Sequence, residues 1–254
     1  MLDARCELCT PVGEPRYTAP KPESTKFVRT VVVIGADRGI GEALCVELQA
    51  RGDAVVAACL LDSPPLRALG VEVVAGVDVT SASAVAALAT RLAGRHLDVL
   101  IHVAGVVFET KLGHFDYDAI TTEYAVNAVG PLRVTEALLG SLGEGSKIAI
   151  VTSRVGSLSE NMSGGLYGYR MSKAAANMSA ICLAHDLKPR GIAVMALHPG
   201  SVRTEMTRGL TNTATVGQLI EPVDAARGLL ARIDELNLDA TGSFRHANGA
   251  ILPW

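Results

Sequence analysis

The 254-residue chain is poor in aromatics (4%), in charge (19%) and in cysteine, and no apolar run in it is long. Each scarcity excludes something. No stretch approaches the ~18 consecutive apolar residues of a membrane-crossing helix. With 23 Lys and Arg against 26 Asp and Glu, the net charge is −3 and no basic cluster stands out, which removes the electrostatic footprint of a nucleic-acid-binding surface. The five cysteines, Cys6, Cys9, Cys45, Cys59 and Cys182, are odd in number and scattered, so they read as reduced thiols rather than a disulfide framework. Cys6 and Cys9 form a lone C-x-x-C with no second pair or His cluster at ligand spacing, so no metal site is expected. They lie in a proline-punctuated stretch and not at a helix start of a βαβ unit, where a redox pair belongs. Residues 1–29 have no apolar core and carry Asp3, Glu7, Glu14 and Glu23; both features argue against a targeting peptide. By elimination the expected location is cytoplasmic.

What is present is an ordinary globular composition, 49% hydrophobic, with a rhythm that starts at Thr30. Pro11, Pro15, Pro20 and Pro22 mark residues 1–29 as an irregular arm. From there short β-branched runs alternate with helical spacing: "TVVVIGA", then "GEALCVELQARG", then "AVVAACLL", "VEVVAGVDV", "SASAVAALATRLAG" and "LDVLIHVAG". A long helical stretch around 116–139 follows, then "KIAIVTS", the helix from Tyr169 to 188, "IAVMALHPG", the helix opened by Pro222 and a last run near the end. The strands are apolar on both faces, as a sheet covered on both sides requires. The predicted fold is therefore α/β: a single doubly wound, Rossmann-type parallel sheet of about seven strands, in one domain over residues 30–254.

Three features carry chemistry. "GADRGIG", 35–41, follows the first strand and opens the first helix. Gly35 permits a tight turn, Gly39 a close approach to a pyrophosphate and Gly41 close helix packing, and the helix N-terminus offers free N–H groups. A glycine-rich turn without a ligand is the alternative. Asp78 ends the third strand, where it could accept from an adenine amino group or simply serve as a turn or cap residue. In "YGYRMSK" Tyr169 and Lys173 are four apart and share a helical face, which Tyr167 does not. A neighbouring ammonium is expected to draw the phenol pKa down towards neutrality, making Tyr169 a proton donor and acceptor. A surface Tyr–Lys pair is the bland reading.

Together these segments resemble the short-chain dehydrogenase/reductase family, and within it the C-factor-like or Sniffer-like carbonyl reductase branch. The matching residues run in order through 30–254: "GADRGIG", "DV" at 78–79, "HVAG" at 102–105, "NAVG" at 127–130, "VTS" ending at Ser153, "YRMSK" at 169–173 and "HPGSVRT" at 198–204. The resemblance implies an NAD(P)-dependent enzyme moving a hydride between cofactor and a carbonyl or alcohol. It implies Tyr169 as general acid/base, Lys173 on the nicotinamide ribose, Ser153 on the substrate oxygen and Asn127 in a proton relay behind Lys173. It implies that Gly35, Asp37, Arg38, Gly39, Ile40 and Gly41 lie along the adenosine ribose and phosphates. Asp78 and Val79 would meet the adenine, Ala104 and Gly105 the ribose, and Pro199, Gly200, Val202 and Thr204 the nicotinamide.

The chain departs from the family pattern at Ile34, where a loop-bracing Thr is usual, and at His102 and Val103, which replace two Asn. His102 reads as a hydrogen-bonded structural residue ahead of a catalytic one. Cys59 stands where NAD enzymes of the family place an acid for the ribose 2′-OH, with Asp62 a few residues on as a substitute. Arg38 stands where a cation meets the 2′-phosphate, so NADP is favoured over NAD. The substrate pocket is expected between Ser153, Tyr169 and the loop from Met206 to Gly217; His114, Phe115 or Trp254 could reach it but are equally well explained as core or surface residues. A small-molecule partner is expected, with no nucleic acid and no membrane. Ala174, Ala175, Ala176 and Ala180 could let the helices at 116–139 and 169–188 pair between subunits of a dimer or tetramer, or pack within one. Two rival readings stand: a dinucleotide-binding signalling or scaffold protein that has lost turnover, motivated by Ile34, His102 and Val103, and a nucleotide-sugar epimerase or dehydratase, for which the ~80 residues after Lys173 leave little room.

Overall fold

The computed structural model describes residues 28–208 and 218–254. The Cys6/Cys9 pair, the arm except for Val28 and Arg29, and most of the loop ending at Gly217 lie outside the described residues. Strands β1 (Thr30–Ile34), β2 (Ala54–Ala58), β3 (Glu72–Val74), β4 (Val99–His102), β5 (Lys147–Val151), β6 (Ala193–His198) and β7 (Ser243–His246) form one sheet. Its order is β3-β2-β1-β4-β5-β6-β7, with every pair parallel.

Helices α1 (Gly39–Arg51), α2 (Pro64–Ala68), α3 (Ala82–Arg91), α4 (Tyr117–Tyr124), α5 (Gly130–Leu138), α6 (Tyr167–Leu187), α7 (Glu205–Arg208) and α8 (Pro222–Glu235) connect them. The alternation of side chains along each strand feeds two cores. Val32, Ile34, Leu100 and Ile148 pack with Leu88 of α3, Leu138 of α5 and Ala180 of α6. Val31, Val33, Ile101 and Leu197 pack with Leu44 of α1 and Leu229 of α8 on the other face. Each such fully buried aliphatic side chain contributes about 1.5–3 kcal/mol. Ala176 and Ala180 belong to the first core, within this chain.

Two elements differ from the sequence expectation. The third strand is shorter than "VEVVAGVDV" because Gly76 takes φ +78 and breaks the extended run. The long helix over 116–139 is continuous but carries a π-helical turn at Ala125–Val129 between α4 and α5, a distortion that recurs at functional positions. Strand order reverses between β1 and β4, and the crevice beyond their carboxyl ends is where ligands bind in such sheets.

Candidate active site

The crevice is built on contacts that only glycine permits. Gly35 leaves β1 at φ +84, and a Cβ there would stand 2.5 Å from the Ala104 nitrogen. A Cβ on Gly41 would run into the Gly35 carbonyl, so Gly41 sits beneath the turn. Arg38 precedes α1 in extended conformation without a side-chain cap, so the first-turn N–H groups of α1 face the crevice with their partial positive charge. The cleft holds about 220 Å³ and is lined by Gly35, Asp37, Arg38, Gly39, Ile40, Leu60, Asp78, Val79, Ala104, Gly105 and Thr204, among others. These residues fit a dinucleotide: a glycine cradle, an open helix N-terminus and a cation at its rim.

The charges at the rim are already engaged. Arg38 Nη1 lies 3.2 Å from Glu205. Asp62 is paired with Arg67 at 2.8 Å. Burial pushes the Cys59 thiol up to about 11, with the Asp37 and Asp62 carboxylates adding to the shift. Asp37 thus brings negative charge near the end of β2, where the sequence shows none at position 59. Asp78 lines the cleft and also closes a turn, its Oδ1 accepting from the Thr80 N–H at 2.8 Å and the Thr80 hydroxyl at 2.7 Å. The turn reading of Asp78 is thus observed, from a position on the cleft wall.

Asn127, Ser153, Tyr169 and Lys173 converge beside this cleft. Asn127 sits in the π turn, buried, with Oδ1 accepting from the Val106 N–H and Nδ2 donating to the Val106 carbonyl and to Ser172 Oγ, all at 2.9 Å. Gly105 lines the cleft next to Asn127 and Lys173: a Cβ there would stand 3.1 Å from Asn127 Oδ1 and 3.6 Å from Lys173 Nζ. Lys173 Nζ donates to the Val151 carbonyl at 3.1 Å and stands 5.6 Å from the centre of the Tyr169 ring. The Ser153 hydroxyl lies close enough to the Tyr169 phenol to draw its pKa down, and its Oγ accepts from the Val155 N–H at 3.4 Å.

The expected acidification of Tyr169 is absent from this geometry. Burial pushes the phenol up to about 12; the Ser153 hydroxyl pulls it down and the Glu123 charge pushes it further up. Burial also lowers Lys173 to about 8. The ammonium lies over the ring face and serves Val151, so desolvation outweighs charge pairing.

Pro199 and Gly200 follow β6, with Gly200 at φ +91. Val202 is buried and bridges Ile220. Thr204 reaches the cleft. Tyr167 packs edge-on against Phe115 at 4.9 Å, and Trp254 stacks on Phe244 at 5.2 Å. His102 is buried, bonded to Thr135 Oγ1 at 3.0 Å and pushed down to about 3 by burial. It is a neutral structural residue.

Two residues were not singled out from sequence. Glu123 is fully buried. Its Oε1 accepts from the Phe108 N–H at 2.8 Å, its Oε2 abuts Gly168, and burial raises its pKa. Its place four residues before Asn127, on the same helical face, was the available signal. The other is Arg170, buried inside the "YRMSK" motif.

A wound parallel sheet with a glycine-lined crevice at its switch point and a Ser–Tyr–Lys–Asn group beside it defines a dinucleotide-binding oxidoreductase fold. A profile described as short chain dehydrogenase matches residues 29–215. The chain belongs to the short-chain dehydrogenase/reductase family. It is 47% identical over 227 residues to 1-hydroxy-2-glutathionyl-2-methyl-3-butene dehydrogenase of Rhodococcus sp. (strain AD45), covering 89% of this chain and 99% of that one. It is 42% identical over 171 residues to C-signal of Myxococcus xanthus, 66% of this chain and 99% of that protein. Among solved structures, NADPH-bound carbonyl reductase from chicken fatty liver superposes with TM-score 0.80 at 27% identity, covering 89% of this chain and 99% of that one.

Proposed function

We propose that the protein reduces a carbonyl with NADPH, or oxidises the corresponding alcohol with NADP. The observation that carries this reading is the convergence of Ser153, Tyr169, Lys173 and Asn127 beside the glycine-lined cleft. The nicotinamide supplies a hydride to the substrate carbon when bound. Tyr169 gives its phenolic proton to the substrate oxygen, so carbonyl, hydride and proton together make the alcohol. Ser153 orients that oxygen, and Lys173 and Asn127 hold the proton path behind Tyr169. Arg38 would meet the 2′-phosphate on exchanging its contact with Glu205, and the NADPH-bound structural relative supports NADP over NAD.

The name of the Rhodococcus relative makes a primary alcohol bearing a neighbouring thioether, such as a glutathione conjugate, the first compound class to try. The deciding experiment pairs cofactor binding with turnover. NADPH binds more tightly than NADH, a carbonyl screen finds turnover, and Tyr169→Phe lowers kcat by at least ~10²-fold, the scale of a lost general acid, while NADPH binding persists. A Tyr169→Phe protein as active as the parent refutes the mechanism. The likeness to C-signal favours a second reading, a signalling protein in which turnover is secondary. Retention of the cellular function by Tyr169→Phe would establish it.

A further inference from the structure

Arg170 stands between Tyr169 and Lys173 in sequence, but one residue along a helix is a turn of ~100°, so it leaves their face. The guanidinium is buried, with the residue 9% exposed, and its partners among the described residues are all neutral oxygens. Nε donates to the Gly164 carbonyl at 3.1 Å and the Gly165 carbonyl at 3.0 Å, Nη1 to the Val155 carbonyl at 3.2 Å and Nη2 to Ser163 Oγ at 2.9 Å. A cation buried without a carboxylate is costly and persists only where its donors are well used.

The acceptors lie at the two ends of one segment. Val155 is two residues past Ser153, and Ser163 to Gly165 lie immediately before α6. The joint between them and α6 is Leu166 in the left-handed conformation, φ 46 and ψ 46, a strained setting for a branched side chain that its surroundings must hold in place. Arg170 closes on this joint too, its N–H donating to the Leu166 carbonyl at 2.8 Å. One planar fork therefore fastens the strand end that presents Ser153 to the helix that presents Tyr169.

We propose that Arg170 is a positioning residue that sets Ser153 Oγ against the Tyr169 phenol. This rests on the reading above that Ser153 and Tyr169 act on the substrate oxygen. A lysine does not replace it, because a single ammonium cannot span acceptors on both ends of the segment.

The test uses the full-length protein, NADPH and 4-nitrobenzaldehyde or whichever carbonyl the screen shows to be turned over. Ser153→Ala, Arg170→Gln, Arg170→Lys, Ser163→Ala and the double variant Ser153→Ala/Arg170→Gln are compared in kcat, KM and NADPH affinity. Both Arg170 variants should lose about tenfold or more in kcat, as misplaced reacting groups do, while NADPH affinity stays within about twofold, because Arg170 lies outside the cofactor cleft. The double variant should be no slower than Ser153→Ala alone, since both changes remove one interaction. Wild-type kcat in Arg170→Gln, or a full additive loss in the double variant, overturns the proposal. If Arg170→Gln fails to fold, Ser163→Ala decides, with a smaller loss of kcat expected and an unchanged kcat refuting. Full activity in both Ser153→Ala and Tyr169→Phe would instead refute the reading of the site.

Discussion

Gly156→Ala tests whether the register between β5 and α6 sets the rate. Gly156 sits in the short 3₁₀ turn Arg154–Gly156 directly after Ser153. A Cβ there would stand 2.6 Å from the Lys173 carbonyl carbon, 2.8 Å from the Ala174 nitrogen and 2.9 Å from Lys173 Cβ. Ordinary contact begins near 3.4 Å, and the nearest two atoms are backbone, so no side-chain rotation relieves the clash. The turn and α6 must part by about 0.8 Å, an overpacking that costs about 1–3 kcal/mol and lowers Tm by a few degrees in a chain of this size. That movement draws Ser153 away from Tyr169 and Lys173. A misplacement of ~1 Å can cost ~10²-fold in rate, so kcat should fall by several tens-fold. The glycine cradle of the cofactor lies across β4, so NADPH affinity should stay within about twofold. Stopped-flow NADPH oxidation, fluorescence titration of NADPH and a thermal melt separate these effects. A variant with near-parental kcat would refute the geometric argument. Equal losses in kcat and NADPH affinity would show that the perturbation is not confined to the Ser153 side.

Arg38→Ala should weaken NADPH about tenfold or more and leave NADH nearly unchanged, the scale of one charge-assisted hydrogen bond; equal losses for both cofactors would remove Arg38 from the 2′-phosphate. Asp37→Ser should raise the NADPH-to-NADH preference a fewfold by removing a negative charge near Cys59, and an unchanged ratio in paired titrations would place Asp37 outside the ribose site. His102→Ala orphans the Thr135 hydroxyl and opens a core cavity, so it should cost about 1–3 kcal/mol in a denaturant melt with NADPH affinity intact; a change in affinity without loss of stability would contradict a structural role. For pH, a Tyr169 phenol held up to about 12 stays protonated through neutrality. Carbonyl reduction, which consumes that proton, should stay flat as pH rises through the neutral range. Alcohol oxidation, which needs the phenolate, should climb as pH approaches the Tyr169 pKa, and a flat oxidation profile would remove Tyr169 as the base.

Much of the sheet was legible because strand and helix periods differ and buried parallel strands read as apolar runs. The third strand was overread because Gly76 looks like one more small residue in "VEVVAGVDV", while its positive φ is set by the turn. The π turn at Asn127 was illegible for a related reason: local sequence specifies a helix, and the wider turn appears only with Asn127 bound to Val106 and Ser172. Tyr169 and Lys173 could be paired from their spacing alone, since four residues make one helical face. The direction of the Tyr169 shift could not, because burial belongs to the packed molecule and not to the spacing. Arg170 looked like a spacer within a motif; only the wrapping of the segment 155–165 around its guanidinium reveals its partners.

The balance of charge around Tyr169 bears on the direction of proton transfer. Burial raises the phenol's pKa most, and two groups from different elements act beside it: Ser153 after β5 draws the pKa down and Glu123 on α4 pushes it up. Lys173, lowered to about 8, is still charged at neutral pH, yet its Nζ is committed to Val151 and meets the ring face at 5.6 Å, where a cation is attracted without standing beside the oxygen. The chain's own residues therefore keep the proton on Tyr169, which is the form that carbonyl reduction consumes. Once that proton is spent, the proposed path for its return runs through Lys173 and Asn127, whose Nζ and Oδ1 are the side-chain atoms closest to where a Cβ on Gly105 would stand. A Cβ at position 105 would stand 3.1 Å from Asn127 Oδ1 and 3.6 Å from Lys173 Nζ, so under the proposed mechanism Gly105→Ala is expected to slow the return of a proton to Tyr169 without touching the phenol.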